Sequence, residues 1–252
     1  MTTCSLVTGA SRGIGTAVAQ ALAAAGHRVA VHAGHDTAAA VRVRAALPGS
    51  GHVVVTGDLT DADECARVVA EVLDGLGDLD VLVNNAGVFA AHPIDATGYD
   101  DWQRAWRETL ELNLVAAANL AWLTVDHLLH RADGPAGGRL INVGSRGAYR
   151  GEPDTPAYGA SKAGLHALAQ SLAIALAPHG IVSAAVAPGF VDTDMARAIL
   201  KSPDGPAVLA QSPFGRVATP TEIAATVAWL ATDAPEWVSG TVIDVNGASY
   251  LR

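Results

Sequence analysis

The chain has 252 residues, half of them hydrophobic and 16% charged, with a formal net charge of −9. This composition supports a sizeable core and argues against disorder, and the acidity argues against nucleic acid or an anionic membrane surface as a partner. Two isolated cysteines, Cys4 and Cys65, exclude a disulfide framework or a cysteine-based zinc site and point to a reducing, cytoplasmic setting.

Taken from the amino end, an apolar run over Cys4–Val7 predicts a strand that leads through a glycine turn into a helix over 15–25. A strand over Arg28–Ala33 precedes a helix over 37–47, and a strand over 53–55 precedes a helix over 61–76. In that third helix Asp61 as N-cap with Glu64 three residues later predicts a capping box. A strand over 81–83 is followed by a long helical stretch over 99–131. A strand over 140–143 leads to a helix over 157–177, and one over 182–187 to a shorter helix within 193–211. A helix over 221–231 and a strand over Val242–Val245 complete the series. The strands lack polar/apolar alternation, as expected when both faces are covered. The pattern predicts an α/β, doubly wound parallel sheet of about seven strands flanked by helices, in one domain over 1–252. No apolar run reaches the roughly 18 to 20 residues that span a bilayer, and the early first strand leaves no room for a signal peptide. Neither a membrane nor a secretory route is expected.

Thr8-Gly9-Ala10-Ser11-Arg12-Gly13-Ile14-Gly15 lies after a strand and opens a helix, where glycines let backbone N–H groups approach a pyrophosphate. The spacing differs from the widespread Gly-x-Gly-x-x-Gly, but the Rossmann-type context is the same. At the end of the second strand, Val29 to His35 holds no carboxylate before Asp36, so nothing there meets an adenosine ribose 2′-hydroxyl. Arg12 supplies a cation for a 2′-phosphate, with His32 or His35 adding weaker contacts, which favours NADP(H) over NAD(H); Asp36 folding back toward the ribose is the alternative. Asp58, after the third strand, is placed to accept from an adenine amino group. Asn84-Asn85-Ala86-Gly87, after the fourth, is small enough for close cofactor approach.

Ser145 ends the fifth strand, and Tyr158 and Lys162, four apart, share a helix face. A nearby ammonium favours phenolate, so Lys162 is expected to lower the Tyr158 pKa, while Ser145 polarises a substrate oxygen. Asn113, an amide among apolar neighbours, is expected to hold a water that relays protons from Lys162. Glu152, Asp154 and Arg150, just before Tyr158, read either as substrate contacts or as a solvated face, and Trp102 with Trp106 as helix packing. Nine histidines are scattered, so no metal is expected.

These motifs, together with Pro188-Gly189-Phe190-Val191-Asp192-Thr193, resemble the short-chain dehydrogenase/reductase family in its single-domain branch, over almost the whole chain. Within it the resemblance is to 3-oxoacyl-acyl-carrier-protein reductase-like members, through Pro213-Phe214-Gly215-Arg216 and Thr219-Pro220-Thr221-Glu222. The resemblance implies Tyr158 as general acid, Lys162 on the nicotinamide ribose, Ser145 on the carbonyl and Asn113 in the relay. It implies Gly9, Ser11, Arg12, Ile14 and Gly15 at the phosphates, Asp58 and Leu59 at adenine, and Asn85, Ala86 and Gly87 along the cleft. Pro188, Gly189, Val191 and Thr193 are implied at the nicotinamide, under a substrate loop over about 190–215. A homotetramer or homodimer is implied, with the two long helices carrying Trp106, Trp122 and Leu168 in an interface. The basic residues that dock an acidic carrier in such reductases are replaced by Ala136 and His179, with Arg131 and Arg139 near. The function expected is NADPH-dependent reduction of a ketone or 3-oxoacyl compound. An NAD-dependent alcohol or polyol dehydrogenase and a non-catalytic dinucleotide sensor are the alternatives.

Overall fold

Runs of Val, Ile, Leu and Ala become strands here because helices cover both of their faces. A computed structural model describes residues 2–252. Its strands are β1 (Cys4–Val7), β2 (Arg28–Ala33), β3 (Val53–Thr56), β4 (Val81–Asn84), β5 (Arg139–Val143), β6 (Val182–Pro188) and β7 (Val242–Val245). All pair in parallel, in the order β3-β2-β1-β4-β5-β6-β7. Its helices are α1 (Gly13–Ala24), α2 (Thr37–Ala46), α3 (Ala62–Leu76), α4 (Tyr99–Leu110), α5 (Ala116–His130), α6 (Pro156–Leu176), α7 (Asp194–Leu200), α8 (Gly205–Ala210) and α9 (Pro220–Ala231).

Alternate strand residues feed two separate cores. Val7, Val31, Val83, Ile141 and Val186 pack against Val18 and Leu22 of α1 and Ile223 and Val227 of α9. Leu6, Ala30, Leu82 and Leu140 face the other way, onto Val68 and Val72 of α3, Leu120 and Leu128 of α5 and Leu176 of α6. Each fully buried Leu or Ile contributes roughly 1.5–3 kcal/mol relative to exposure.

Three local expectations change. The stretch 99–131 is one continuous run, but a π-helical turn over Glu111–Val115 joins α4 to α5. By length and composition Tyr99–His130 would suit a bilayer, although Ala116, Leu120, Ala121 and Leu128 lie in the sheet's second core. The box predicted at Asp61 does not close: Asp61 accepts from the Asp63 amide, and Glu64 turns to Arg67. A capping box does form at Thr219 and Glu222, ahead of α9. The segment 193–211 holds two short helices, α7 and α8.

The winding reverses between β1 and β4, since β1 pairs with β2 on one side and β4 on the other. The loops after those two strands diverge, which opens a crevice at the carboxyl edge of the sheet, where such folds bind ligands. A separate cavity of about 530 Å³, beside Thr3, Val81 and Arg139, opens at the opposite, amino edge.

Candidate active site

The glycine turn is tied to the β4 loop by direct bonds. The Thr8 hydroxyl oxygen accepts from the Asn85 and Ala86 amides, both at 2.9 Å. Asn85 Nδ2 donates to the carbonyls of Thr8 (2.8 Å) and Gly9 (3.2 Å), so Asn85 holds the turn's shape. Gly13 has a φ of +57°, which glycine adopts without strain. At Gly15 a Cβ would stand 2.4 Å from the Gly9 carbonyl oxygen and 2.6 Å from Asn85 Nδ2, so only glycine lets the helix start this close. Helix α1 begins with no side-chain cap and no acid in its first turn. Its first N–H groups therefore stay open to an anion, with the exposed Arg12 and half-exposed Ser11 beside them. Ile14 packs its side chain onto the core. This cradle fits a dinucleotide pyrophosphate.

At the end of β2 the structure narrows the sequence reading. Asp36 accepts from the Ala39 amide at 2.8 Å as N-cap of α2, and so is not folded toward the ribose. His32 is buried, with Nδ1 accepting from the Gly9 amide (3.1 Å) and Nε2 against the Gly57 carbonyl (3.1 Å). It braces the turn from below and has no nitrogen left for a phosphate. Burial lowers its pKa to about 4, against a weaker rise from the Gly57 carbonyl. His35 is exposed. Asp58 spends Oδ1 on the Thr60 amide and hydroxyl, the contacts that hold its pKa down. The Leu59 side chain is only 2% exposed and belongs to the core, so of that residue only the backbone can meet an adenine.

The proton-handling residues converge where β5, α6 and the β4 loop meet. Ser145 follows β5, and its Oγ accepts from the Gly147 amide at 3.0 Å. The Ser145 hydroxyl lies near enough to the Tyr158 phenol to favour its ionised form. Burial raises the Tyr158 pKa, Ser145 pulls it down, and the Glu152 carboxylate pushes it up again. Lys162 was expected to supply the downward pull. Its Nζ lies 5.7 Å from the Tyr158 ring centre, but it is buried and donates to the Val143 carbonyl at 2.8 Å. That burial brings the Lys162 pKa down to about 8. The phenol thus stays protonated near neutrality, as a proton donor requires.

Asn113 sits in the π-helical turn, a feature frequent at functional sites. Its Nδ2 donates to the Val88 carbonyl (3.0 Å) and Ser161 Oγ (3.1 Å), and its Oδ1 accepts from the Val88 amide (2.8 Å). It therefore links α6 to the β4 loop. A Cβ on Gly87 would stand 3.1 Å from Asn113 Oδ1 and 3.6 Å from Lys162 Nζ, which sets these groups side by side.

Pro188 ends β6, and Gly189 packs against Asn246 so closely that a Cβ would lie 3.0 Å from its carbonyl. Val191 is buried and bridges to Ala218. Thr193 is the N-cap of α7 without using its side chain as a cap, and it faces Gly13 across the crevice. The segment 190–215 continues from the end of β6 through α7 and α8.

Phe89, His92 and Arg146 escape the sequence, and Glu152, which it leaves as a substrate contact or a solvated face, lies beside them. Phe89 packs edge-on against the Tyr158 ring, with centroids 4.9 Å apart. Buried His92 accepts from the Ala157 amide at 3.2 Å and anchors the start of α6. Arg146, next to Ser145, is buried, and no motif marked it. Glu152 fills the space over Gly147, where a Cβ would stand 2.7 Å from its Oε1. Burial raises the Glu152 pKa, while Arg150 and Arg146 lower it. Two residues considered for carrier docking lie elsewhere: Arg131 pairs with Asp80, and Arg139 donates to the Leu230 and Ala234 carbonyls. Both partners of Arg139 and the start of β5 lie at the amino edge, away from the mouth of the crevice.

A family model described as enoyl-(acyl carrier protein) reductase matches residues 9–248. A 3-oxoacyl-[acyl-carrier-protein] reductase of Staphylococcus aureus (strain Mu50) is 37% identical, the match covering 100% of this chain and 99% of that protein. An acetoacetyl-CoA reductase of Rhizobium meliloti (strain 1021) is 35% identical, with both chains covered in full. Among solved structures, a dehydrogenase/reductase from Sinorhizobium meliloti 1021 superposes with a TM-score of 0.88 at 32% identity, over 99% of this chain and 95% of that one. The angucycline C-6 ketoreductase LanV with bound NADP gives 0.86 at 33% identity, over 97% and 94%.

Proposed function

This chain belongs to the short-chain dehydrogenase/reductase family, and from that membership and the site geometry we propose an NADPH-dependent reductase of a ketone or 3-oxoacyl carbonyl. The observation that carries the reading is the convergence of Tyr158 with Ser145, whose hydroxyl favours the phenolate, and Lys162, one helical turn on. NADPH, when bound, supplies the hydride that reaches the carbonyl carbon. Tyr158 gives its proton to the carbonyl oxygen, and Ser145 holds that oxygen in place. Two preorganised donors at a developing oxyanion form the largest electrostatic contribution expected of such a site. Lys162 is assigned to the nicotinamide ribose, and Asn113 to keeping Lys162 and the β4 loop aligned.

The phosphates are assigned to the α1 N-terminus with Gly9, Ser11, Ile14 and Gly15, and the 2′-phosphate to Arg12. The adenine falls to Asp58 with the Leu59 backbone, and the cleft wall to Asn85, Ala86 and Gly87. Pro188, Gly189, Val191 and Thr193 flank the nicotinamide. The choice of NADP(H) over NAD(H) is supported by the free Arg12 and the committed Asp36. Residues 1–252 act as one catalytic unit on a small-molecule carbonyl or alcohol, with 190–215 covering it. Exposed Val115, Trp122 and Leu129 on the helix through α5 and Ile174 on α6 support a homo-oligomer, a tetramer or dimer, through these helices. The buried free thiols of Cys4 and Cys65 suit a reducing cytoplasm. The direct test follows NADPH oxidation over simple ketones and 3-oxoacyl thioesters; turnover supports the reading, and none with any carbonyl rejects it.

A further inference from the structure

Arg146 is 4% exposed, yet among the described residues no carboxylate lies within salt-bridge distance of it. Its Nη2 donates to Gln211 Oε1, its Nη1 makes a long 3.4 Å bond to the Ser249 carbonyl, and its guanidinium lies 5.2 Å from the centre of the Phe190 ring. Arg150 reaches the same Gln211 Oε1 at 3.5 Å. Two guanidinium groups thus converge on one neutral amide oxygen. Glu152 is the nearby carboxylate, and it acts on Arg146 less than the like charge of Arg150 does. A buried cation held only by neutral partners is costly, and an anionic ligand offsets that cost.

The place of this pair argues for a substrate. Arg146 follows Ser145 directly, and Phe190 follows Gly189 in the segment assigned to the nicotinamide side. Arg146, Phe190, Gln211, Asn246 and Ser249 line a cavity of about 380 Å³ beneath α8. The cofactor phosphates have their own cradle at Gly9–Gly15, facing Thr193 rather than this cavity. The guanidinium fork matches a carboxylate in two parallel bonds.

We propose that Arg146, assisted by Arg150, is a specificity-determining anion site that receives a carboxylate of the substrate, so that this reductase acts on keto acids in preference to neutral ketones or carrier-bound acyl chains. Gln211 occupies the position of that carboxylate and gives way to it. The proposal rests on the carbonyl-reductase reading.

The experiment compares linear methyl-ketone carboxylates of four to seven carbons with their methyl esters, using NADPH and the full chain. For at least one length, kcat/KM for the acid is expected to exceed that for the ester about tenfold or more, mainly through KM. Arg146→Gln should bring that ratio near one, and Arg150→Gln should lower it several-fold. Esters used as well as acids at every length in the wild type would overturn the site, and so would an unchanged ratio in Arg146→Gln. Should Arg146→Gln fail to fold, the wild-type ratios and the exposed Arg150→Gln decide. If no ketone at all were reduced, the failure would fall on the reductase reading. Calorimetric titration of the NADP⁺-loaded protein with the same acids and esters then decides the anion site: tighter binding of an acid sustains it, and equal or no binding overturns it.

Discussion

Asp36, the first carboxylate after β2, accepts the Ala39 amide hydrogen at 2.8 Å and closes the first turn of α2. An acid engaged there has Oδ1 withdrawn from a ribose 2′-hydroxyl, while Arg12 makes no side-chain hydrogen bond at the α1 N-terminus among the described residues. A charge-assisted bond of about 1.5–3 kcal/mol corresponds to roughly 10- to 100-fold in affinity. Arg12→Ala should weaken NADPH binding by that factor and leave NADH binding nearly unchanged, as read by fluorescence titration. Equal losses for both cofactors would remove Arg12 from the 2′-phosphate.

Gly15 has no room for a methyl, because the obstacles are the Gly9 carbonyl at 2.4 Å and the Ala10 Cα at 2.9 Å, both backbone. Gly15→Ala should cost about 1–3 kcal/mol of stability through forced overpacking, and should lower affinity for NADPH and NADH alike. Thermal melts with and without cofactor check this; a variant as stable as the wild type would show that the turn yields more freely than its contacts indicate.

His32 and His166 are both buried, and burial brings each to a pKa of about 4. Among the described residues both ring nitrogens of His166 lack hydrogen-bond partners, whereas His32 braces Gly9. A base whose folded pKa lies below its unfolded value near 6.5 is protonated first in the unfolded chain. Stability is therefore full above about pH 6.5 and falls as the pH drops toward 4, by up to about 1.4 kcal/mol per pH unit for each such group. His166→Leu should melt at or above the wild type at pH 7 and lose less between pH 6.5 and 5. NADPH affinity in the wild type should hold through that range and decline only as the pH nears 4, where folded His32 takes up a proton and gives up its acceptor to Gly9. Identical acid slopes for wild type and His166→Leu would reject the assignment of His166.

The parallel sheet was readable because both-face burial leaves uninterrupted Val, Ile and Leu runs, and because Gly9, Gly13 and Gly15 mark the first crossover; its strand order was not read from the sequence. Ser145, Tyr158, Lys162 and Asn113 were readable through spacing and through the family resemblance. What escaped depends on neighbours distant in the chain. Asn85 reads as a cofactor contact, and its Nδ2 also holds the glycine turn through Thr8 and Gly9, a role the sequence did not signal. His32 reads as a phosphate ligand until Gly57 and Gly9 take both its nitrogens. The box at Asp61 lost Glu64 to Arg67, a competitor on the next helical turn. Arg146 carried no signal because its burial is made by Phe190, Gln211 and Ser249, supplied from later in the chain.

The central claim, that the Tyr158 phenol delivers the proton, is tested most directly by Tyr158→Phe, which deletes one oxygen and keeps the ring against Phe89. The measurement pairs the rate of NADPH oxidation with a reducible ketone and NADPH affinity in the same preparation. The account predicts a rate at least about 10²-fold lower, with NADPH affinity within a few-fold of the wild type. A variant that kept most of its rate while binding NADPH normally would contradict it.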